Sequence, residues 1–268
     1  MIKINGQKVT IYAFPDNTKL FTTTSLSDIY NWGRVDRSIQ ITWHYESDDE
    51  MVSLMYITKH LQAHGATNIG LLMPYIPNAR MDRVKCHTDV FTLKYFAEFI
   101  NSLGFSYVIV LDPHSYVSEA LINNIRVMNP RDYIIDATND CTPNLLFFPD
   151  EGAMKRYSSL LSKEYAFGIK RRDWATGKIE GLDVAGCVDK IKDSRILIVD
   201  DICSRGGTFY HSAKKLKELG AKEIYLYITH CENTILEGEL LTSGLIEKAY
   251  TTNSIFTKEH EKIEVFEI

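Results

Sequence analysis

Residues 195–220 read RILIVDDICSRGGTFYHSAKKLKELG. The apolar run Ile196–Val199 has no polar interruption, as a strand covered on both faces requires, and it ends in two carboxylates, Asp200 and Asp201. Gly206 and Gly207 then permit close backbone approach to an anion, and Ser204 and Thr208 add hydroxyl donors. A helix predicted from Thr208 to Leu219 buries Ala213, Leu216 and Leu219, exposes Lys214, Lys215 and Lys217, and stops at Gly220. In an open parallel sheet, ligands sit beyond the carboxyl ends of the strands, where a helix N-terminus offers N–H groups and the positive end of its dipole. The loop is therefore a candidate phosphate cradle, with Asp200 and Asp201 placed to accept from sugar hydroxyls. An ordinary strand–turn–helix with surface acids is the competing reading.

Outward from this segment, strand-like runs alternate with amphipathic helical patterns. Strands are predicted at Ser38–Tyr45, Asn68–Pro74, Tyr107–Asp112, Leu145–Pro149, Ala166–Lys170, Arg195–Asp200 and Glu223–Thr229, and helices at Glu50–His64 and Asp89–Leu103, ending at Gly65 and Gly104. That alternation is the pattern of βαβ units around a parallel sheet. Val127–Asn144 breaks the rhythm with Pro130 and Pro143, so a boundary is expected near its start, giving domains 1–127 and 128–268.

The 268 residues are 45% hydrophobic and 24% charged, which excludes collagen-like, disordered and disulfide-scaffold classes. A formal charge of −5 makes neither nucleic acid nor an anionic membrane a default partner. Five scattered cysteines without a CxxC fit a reducing cytoplasm, and no apolar run approaches the roughly 18 residues of a membrane helix. Trp32, Trp43 and Trp174 are too dispersed to stack successive bases, and His60 and His64 fit a solvated helix end. Neither a GxGxxG nor a GxxxxGK[ST] turn is present to hold a nucleotide.

Three further segments carry chemistry, the third of them in two adjacent stretches. LLMPYIPNARMDRV, residues 71–84, sets Arg80, Asp82 and Arg83 just beyond a strand, with Lys85 following, a cationic group suited to a polyphosphate or else a loop ion-pair cluster. YVIVLDPHS, residues 107–115, ends a strand in Asp112 and His114, a ligand pair or a packed capping histidine. FFPDEGAMKRYSSL, residues 147–160, holds Asp150 in a turn, and YAFGIKRRDW, residues 165–174, alternates Lys170 and Arg172 on one side of an extended backbone. Two cations on one face suit a phosphoryl transition state, although an exposed strand terminus would read the same way.

The 195–208 segment resembles the binding motif shared by type I phosphoribosyltransferases and phosphoribosyl pyrophosphate synthetases. With the other three in the same order, the chain from about residue 37 to residue 231 resembles the synthetases, the ribose-phosphate pyrophosphokinases, as a divergent short member. The resemblance implies an α/β fold of two tandem type I phosphoribosyltransferase-like domains, each a mainly parallel sheet flanked by helices. It implies Mg²⁺-dependent transfer of the diphosphoryl group of ATP to the anomeric hydroxyl of ribose 5-phosphate. In the implied site, Arg80, Asp82 and Arg83 position ATP, and His114, Asp150 and Asp112 serve the metal. Lys170, Arg172 and His114 act in catalysis, Asp200 and Asp201 orient the ribose, and Ser204, Arg205, Gly206, Gly207 and Thr208 hold the 5-phosphate. A cytoplasmic homo-oligomer, dimer or larger, is implied as well, because the family's ATP site borrows from a neighbouring subunit.

Two departures stand out. The family's adenine-binding Phe-x-Asp-Gly-Glu stretch corresponds here to Phe14–Thr18, which keeps Phe14 and Asp16 but has Asn17 and Thr18 in place of Gly and Glu. The synthetases' Asp-Thr at the start of the phosphate loop is Ser204-Arg205 here, and Arg205 either meets a second anion, as in a larger acceptor such as ADP-ribose, or points to solvent. A type I phosphoribosyltransferase, or a non-catalytic synthetase-associated subunit, are the remaining alternatives.

Overall fold

The structure, a computed structural model, describes residues 1–21, 38–172 and 179–268, with the side chains of 170–172 and 179–180 outside that description. The chain forms two compact units, Met1–Met128 and Asn129–Ile268.

In the first unit, β1 (Ile2–Ile4) and β2 (Gln7–Lys8) form a hairpin, and β3 (Ile11–Ala13) pairs with β4 (Lys19–Phe21) as a separate two-stranded ribbon. After β5 (Ile39–Trp43), α1 (Asp49–Ala63), β6 (Ile69–Leu72), α2 (Thr92–Ser102), β7 (Tyr107–Leu111), α3 (Tyr116–Leu121) and β8 (Ile125–Met128) follow in alternation. The sheet order is β2-β1-β5-β6-β7-β8, with β5 to β8 parallel and β1 antiparallel to β5. Leu54, Ile57 and Leu61 of α1 and Leu93, Phe96 and Ile100 of α2 close one core with Ile41, Leu71 and Val108 of the sheet.

The second unit opens with α4 (Arg131–Cys141), β9 (Leu145–Phe148), α5 (Glu151–Tyr157), β10 (Tyr165–Arg172) and β11 (Ile179–Gly186), then β12 (Arg195–Cys203), α6 (Gly207–Glu218), β13 (Glu223–Cys231), β14 (Lys248–Thr252) and β15 (Ile263–Phe266). Its seven strands lie in the order β11-β10-β9-β12-β13-β14-β15, parallel except for β11, which returns antiparallel along β10.

Strand β12 is central, and its uninterrupted apolar run has a direct cause. Ile196 and Ile198 pack into one core with Phe209, Ala213 and Leu216 of α6, whereas Leu197 and Val199 pack into another with Ile134 and Ala137 of α4 and Ala153 and Tyr157 of α5. Both faces are covered, so alternation of apolar with polar residues would bury unpaired polar groups. Leu197 is fully buried. Leu197→Ala is expected to cost about 2–5 kcal/mol, seen as a lower urea midpoint with an unchanged slope; a midpoint within error of the parent would contradict this packing.

All seven predicted strands and all three predicted helices are present, with ends shifted by up to three residues. Val127–Asn144 is not merely a break: Pro130 caps the start of α4, and Thr142, in the left-handed region at φ 43°, ends it. Pro at a helix start removes no internal hydrogen bond, so the prolines that signalled interruption frame a helix instead. No helix among the described residues is long and apolar enough to cross a membrane. Trp32 and Trp174 lie outside the described residues.

Candidate active site

In the second unit the sheet delivers Asp200 and Asp201 to the carboxyl end of β12, as the sequence implied. Their partner is Arg156, on the last turn of α5, which sequence reasoning passed over. Its Nη2 lies 2.8 Å from Asp201 Oδ1 and 3.8 Å from Asp200 Oδ1, and it is within a cation–π distance of the Tyr157 ring. Helical spacing was the available signal, because Asp150 is the N-cap of α5, accepting from the Ala153 N–H at 3.1 Å, and Arg156 follows six residues later on the same short helix.

Asp201 is buried and held by this guanidinium. Asp200 keeps 15% of its side-chain surface, yet its carboxyl is pushed well above the usual carboxylate range. Burial is the main cause, followed by the neighbouring Asp201 carboxylate and by Asp150, with Arg156 opposing. Like charges are thus gathered where a bound cation or a set of sugar hydroxyls would relieve them.

Beyond β12 the loop turns on Gly206, whose φ of 82° is in the left-handed region, and a Cβ there would fall 2.8 Å from Leu240 Cδ2. The first N–H groups of α6, from Gly207, Thr208 and Phe209, have no acceptor within the helix and are the donors this end of the helix offers to an anion. Gly207 and Thr208 are exposed. The Ser204 hydroxyl, expected to serve the 5-phosphate, donates to Glu232 Oε2 at 2.8 Å. Arg205 is 73% exposed and pairs with Glu237 at 3.0 Å. Lys170 and Arg172 lie on β10, beside Leu182 and Ile179 of β11 in register; their side chains, and residues 173–178, lie outside the described residues.

In the first unit, β6 and β7 continue side by side past their ends through Met73 N–H to Ile109 O at 2.8 Å and Leu111 N–H to Pro74 O at 3.0 Å. This brings the 74–84 turn next to Asp112–Ser115. Asp82 is buried and accepts from Arg83 Nε at 2.8 Å. Its carboxyl is held below the usual range by Arg83 first, with help from Ser115 and His114. Asp82 and Arg83 thus form an ion pair, while the Arg83 side chain stays 74% exposed. Because the folded value is lowered, the Asp82 contribution to stability is present above about pH 4 and is lost as pH falls through that folded value. Asp112 is buried with φ 42°, an uncommon conformation for a non-glycine residue, at the strand end where ligands are expected.

Phe14 and Asp16 occupy the turn between β3 and β4. Phe14 is 47% exposed. Asp16 Oδ1 accepts from the Thr18 N–H at 3.0 Å and the Thr18 hydroxyl at 2.7 Å, and Asn17 takes φ 66°. Asn and Thr thus form a self-bonded turn, and Asp16 spends one oxygen holding it.

Mg²⁺ prefers oxygen donors and keeps several of its waters, so one or two carboxylates with substrate phosphates suffice to bind it. No group of three or more His, Cys, Asp or Glu among the described residues is arranged to cage a metal. The crowded carboxylates around Asp200, one of them Asp150, fit an ion carried in with phosphates and not a resident all-protein site.

The two units, each a mainly parallel sheet between helices with an acid-tipped central strand or strand-end turn, define a tandem phosphoribosyltransferase-like α/β protein. No family model matches the chain. The solved phosphoribosylpyrophosphate synthetase of Mycobacterium smegmatis superposes with a TM-score of 0.76 at 17% identity, over 97% of this chain and 86% of that one. Ribose-phosphate pyrophosphokinases of Thermococcus kodakarensis and Pyrococcus abyssi are each 28% identical to it, over 93% of this chain and 86% and 85% of theirs. That of Bacillus subtilis is 27% identical over 82% of this chain and 70% of its own. Over most of its length the chain is thus similar to the ribose-phosphate pyrophosphokinases, at a divergent level of identity.

Proposed function

We propose that the protein transfers the diphosphoryl group of ATP to the anomeric hydroxyl of ribose 5-phosphate, giving phosphoribosyl pyrophosphate and AMP. The observation that carries this reading is the junction of β12 and α6, where two carboxylates and a helix N-terminus face one sheet edge within eight residues. Asp200 and Asp201 accept from the ribose hydroxyls, fixing the sugar so that its anomeric oxygen meets the β-phosphorus in line. The N–H groups of 207–209 and the Thr208 hydroxyl hold the 5-phosphate. In the first unit, Arg80 and Arg83 neutralise the triphosphate while Asp82 orients Arg83. Lys170 and Arg172 stabilise charge in the transition state. Asp150, His114 and Asp112 would hold Mg²⁺, which when bound supplies charge neutralisation of the phosphates. A homo-oligomer, dimer or larger, would cover the exposed ring of Phe14 and complete the adenine site.

One observation favours a second acceptor. The Arg205–Glu237 pair is exposed on both sides, and such pairs contribute little, so a second phosphate on a larger acceptor such as ADP-ribose could displace Glu237. A single assay separates the two: Mg-ATP is supplied with ribose 5-phosphate or with ADP-ribose, and AMP is measured. Ribose 5-phosphate is expected to drive stoichiometric AMP release. Turnover confined to ADP-ribose would replace the first reading by the second, and inertness toward both would refute each.

A further inference from the structure

The chain beyond β13 folds back over the phosphate-cradle loop and meets it residue by residue. Glu232 donates its own N–H to Cys203 O at 2.8 Å, and its Oε2 accepts from Ser204 at 2.8 Å and from the Thr234 hydroxyl at 3.2 Å. Glu237 holds Arg205. Gly238 lies so close that a Cβ there would fall 2.0 Å from the Arg205 carbonyl oxygen. Leu240 packs on Gly206. Residues 232–240 are thus the brace of the loop, and Glu232 is its one carboxylate bonded to a residue of the cradle that is not exposed.

A serine hydroxyl has a single proton, and a carboxylate can only accept. With that proton committed to Glu232, Ser204 has only lone pairs for any further partner. A phosphate dianion offers lone pairs too, whereas a sugar hydroxyl offers a proton. We propose that Glu232 is a positioning residue that turns Ser204 from a phosphate donor into an acceptor for a hydroxyl of the sugar, so that the loop selects sugar phosphates over bare phosphate. This rests on the ribose-phosphate reading of the loop. The negative charge of Glu232 reinforces the selection, since it disfavours a second anion beside it.

Calorimetric titration of ribose 5-phosphate and of inorganic phosphate, into the parent chain and into Glu232→Ala, Glu232→Gln and Ser204→Ala variants, tests the proposal. Glu232→Ala frees the Ser204 proton. It is expected to weaken ribose 5-phosphate by about tenfold, the worth of one ordinary hydrogen bond, and to leave inorganic phosphate unchanged or tighter. Glu232→Gln keeps an oxygen acceptor for Ser204 and is expected to stay within about threefold of the parent. Ser204→Ala combined with Glu232→Ala is expected to be no weaker than either alone, since both break one contact. Equal weakening of both ligands in Glu232→Ala would reveal only a collapsed loop and overturn the proposal, as would unchanged ribose 5-phosphate affinity or a Gln variant as weak as Ala. A parent chain that binds ribose 5-phosphate in this way but releases no AMP would refute the proposed reaction and leave the role of Glu232 standing; one that binds neither ligand refutes both.

Discussion

Arg156→Met is expected to lose about 3 kcal/mol of stability at neutral pH, the lower end of the cost of stranding a buried charge, because a fifth of the Arg156 side chain already meets water. The substitution keeps the apolar stem against Tyr157 and removes the guanidinium, leaving the Asp201 carboxylate, only 5% exposed, without its 2.8 Å partner beside a second carboxylate. Urea unfolding at several pH values reads the outcome. The deficit should shrink on acidification, because Asp201 can then take up a proton and the stranded charge disappears. Combining Arg156→Met with Asp201→Asn should restore most of the loss, since removing both partners leaves no uncompensated charge. On the proposed function, acceptor KM should rise as well, with ATP KM little changed, because the carboxylates that Arg156 orients are the ones assigned to the sugar. A variant as stable as the parent at neutral pH would show that Asp201 is neutralised in some other way.

Asp200→Asn is expected to separate stability from activity. The Asp200 carboxyl has a folded value raised well above its unfolded value of about 3.9. The folded state therefore holds its proton more tightly. The associated stability is fully present below that unfolded value and is lost as pH rises through the folded one. An asparagine has no proton to lose. In metal-free buffer the variant should be more stable than the parent at neutral pH, with a flatter pH profile. Its turnover should fall by about 10- to 100-fold, the worth of a hydrogen bond from a substrate hydroxyl to a charged group. A variant less stable than the parent at neutral pH would mean that the ionised carboxylate is compensated in the folded state. Wild-type turnover would remove Asp200 from the sugar site.

The sequence was most legible where both faces of a strand are buried. Ile196–Val199 could only be a central strand, and the carboxylates that follow could only emerge at its carboxyl end. Less legible were elements that lack a private apolar pattern. Strand β11 reads IEGLDVAG, and it becomes a strand because β10 offers it an edge. Helix α4 reads RDYIIDATNDC, in which only Ile134, Ala137 and Cys141 are buried apolar residues, and its flanking prolines look like breaks until tertiary packing selects the helix. The site followed the same logic. Asp200, Asp201 and the Gly206 turn were readable from local spacing. Arg156, Glu232 and Glu237 were not, because each reaches the site from another segment, and which segments meet is decided by strand order. Ser204 was legible as a hydroxyl of the loop, but its partner was not: where that hydroxyl sends its proton depends on Glu232, 28 residues away.

The twofold packing of β12 also sets a hierarchy of motion. To unpair Ile196–Val199, the α6 layer and the α4–α5 layer must both come apart, so amide hydrogens there should exchange with deuterium only through global unfolding. The amides of 204–208 need only the loop to lift away from residues 232–240. They should exchange through a local opening that leaves both layers closed, and ribose 5-phosphate should slow that opening alone. The carboxylates at the tip of β12 are thus expected to sit in the slowest-exchanging part of the unit and residues 204–208 in a faster one; on the proposed function, the sugar would be held rigidly while the loop beside it admits and releases its phosphate.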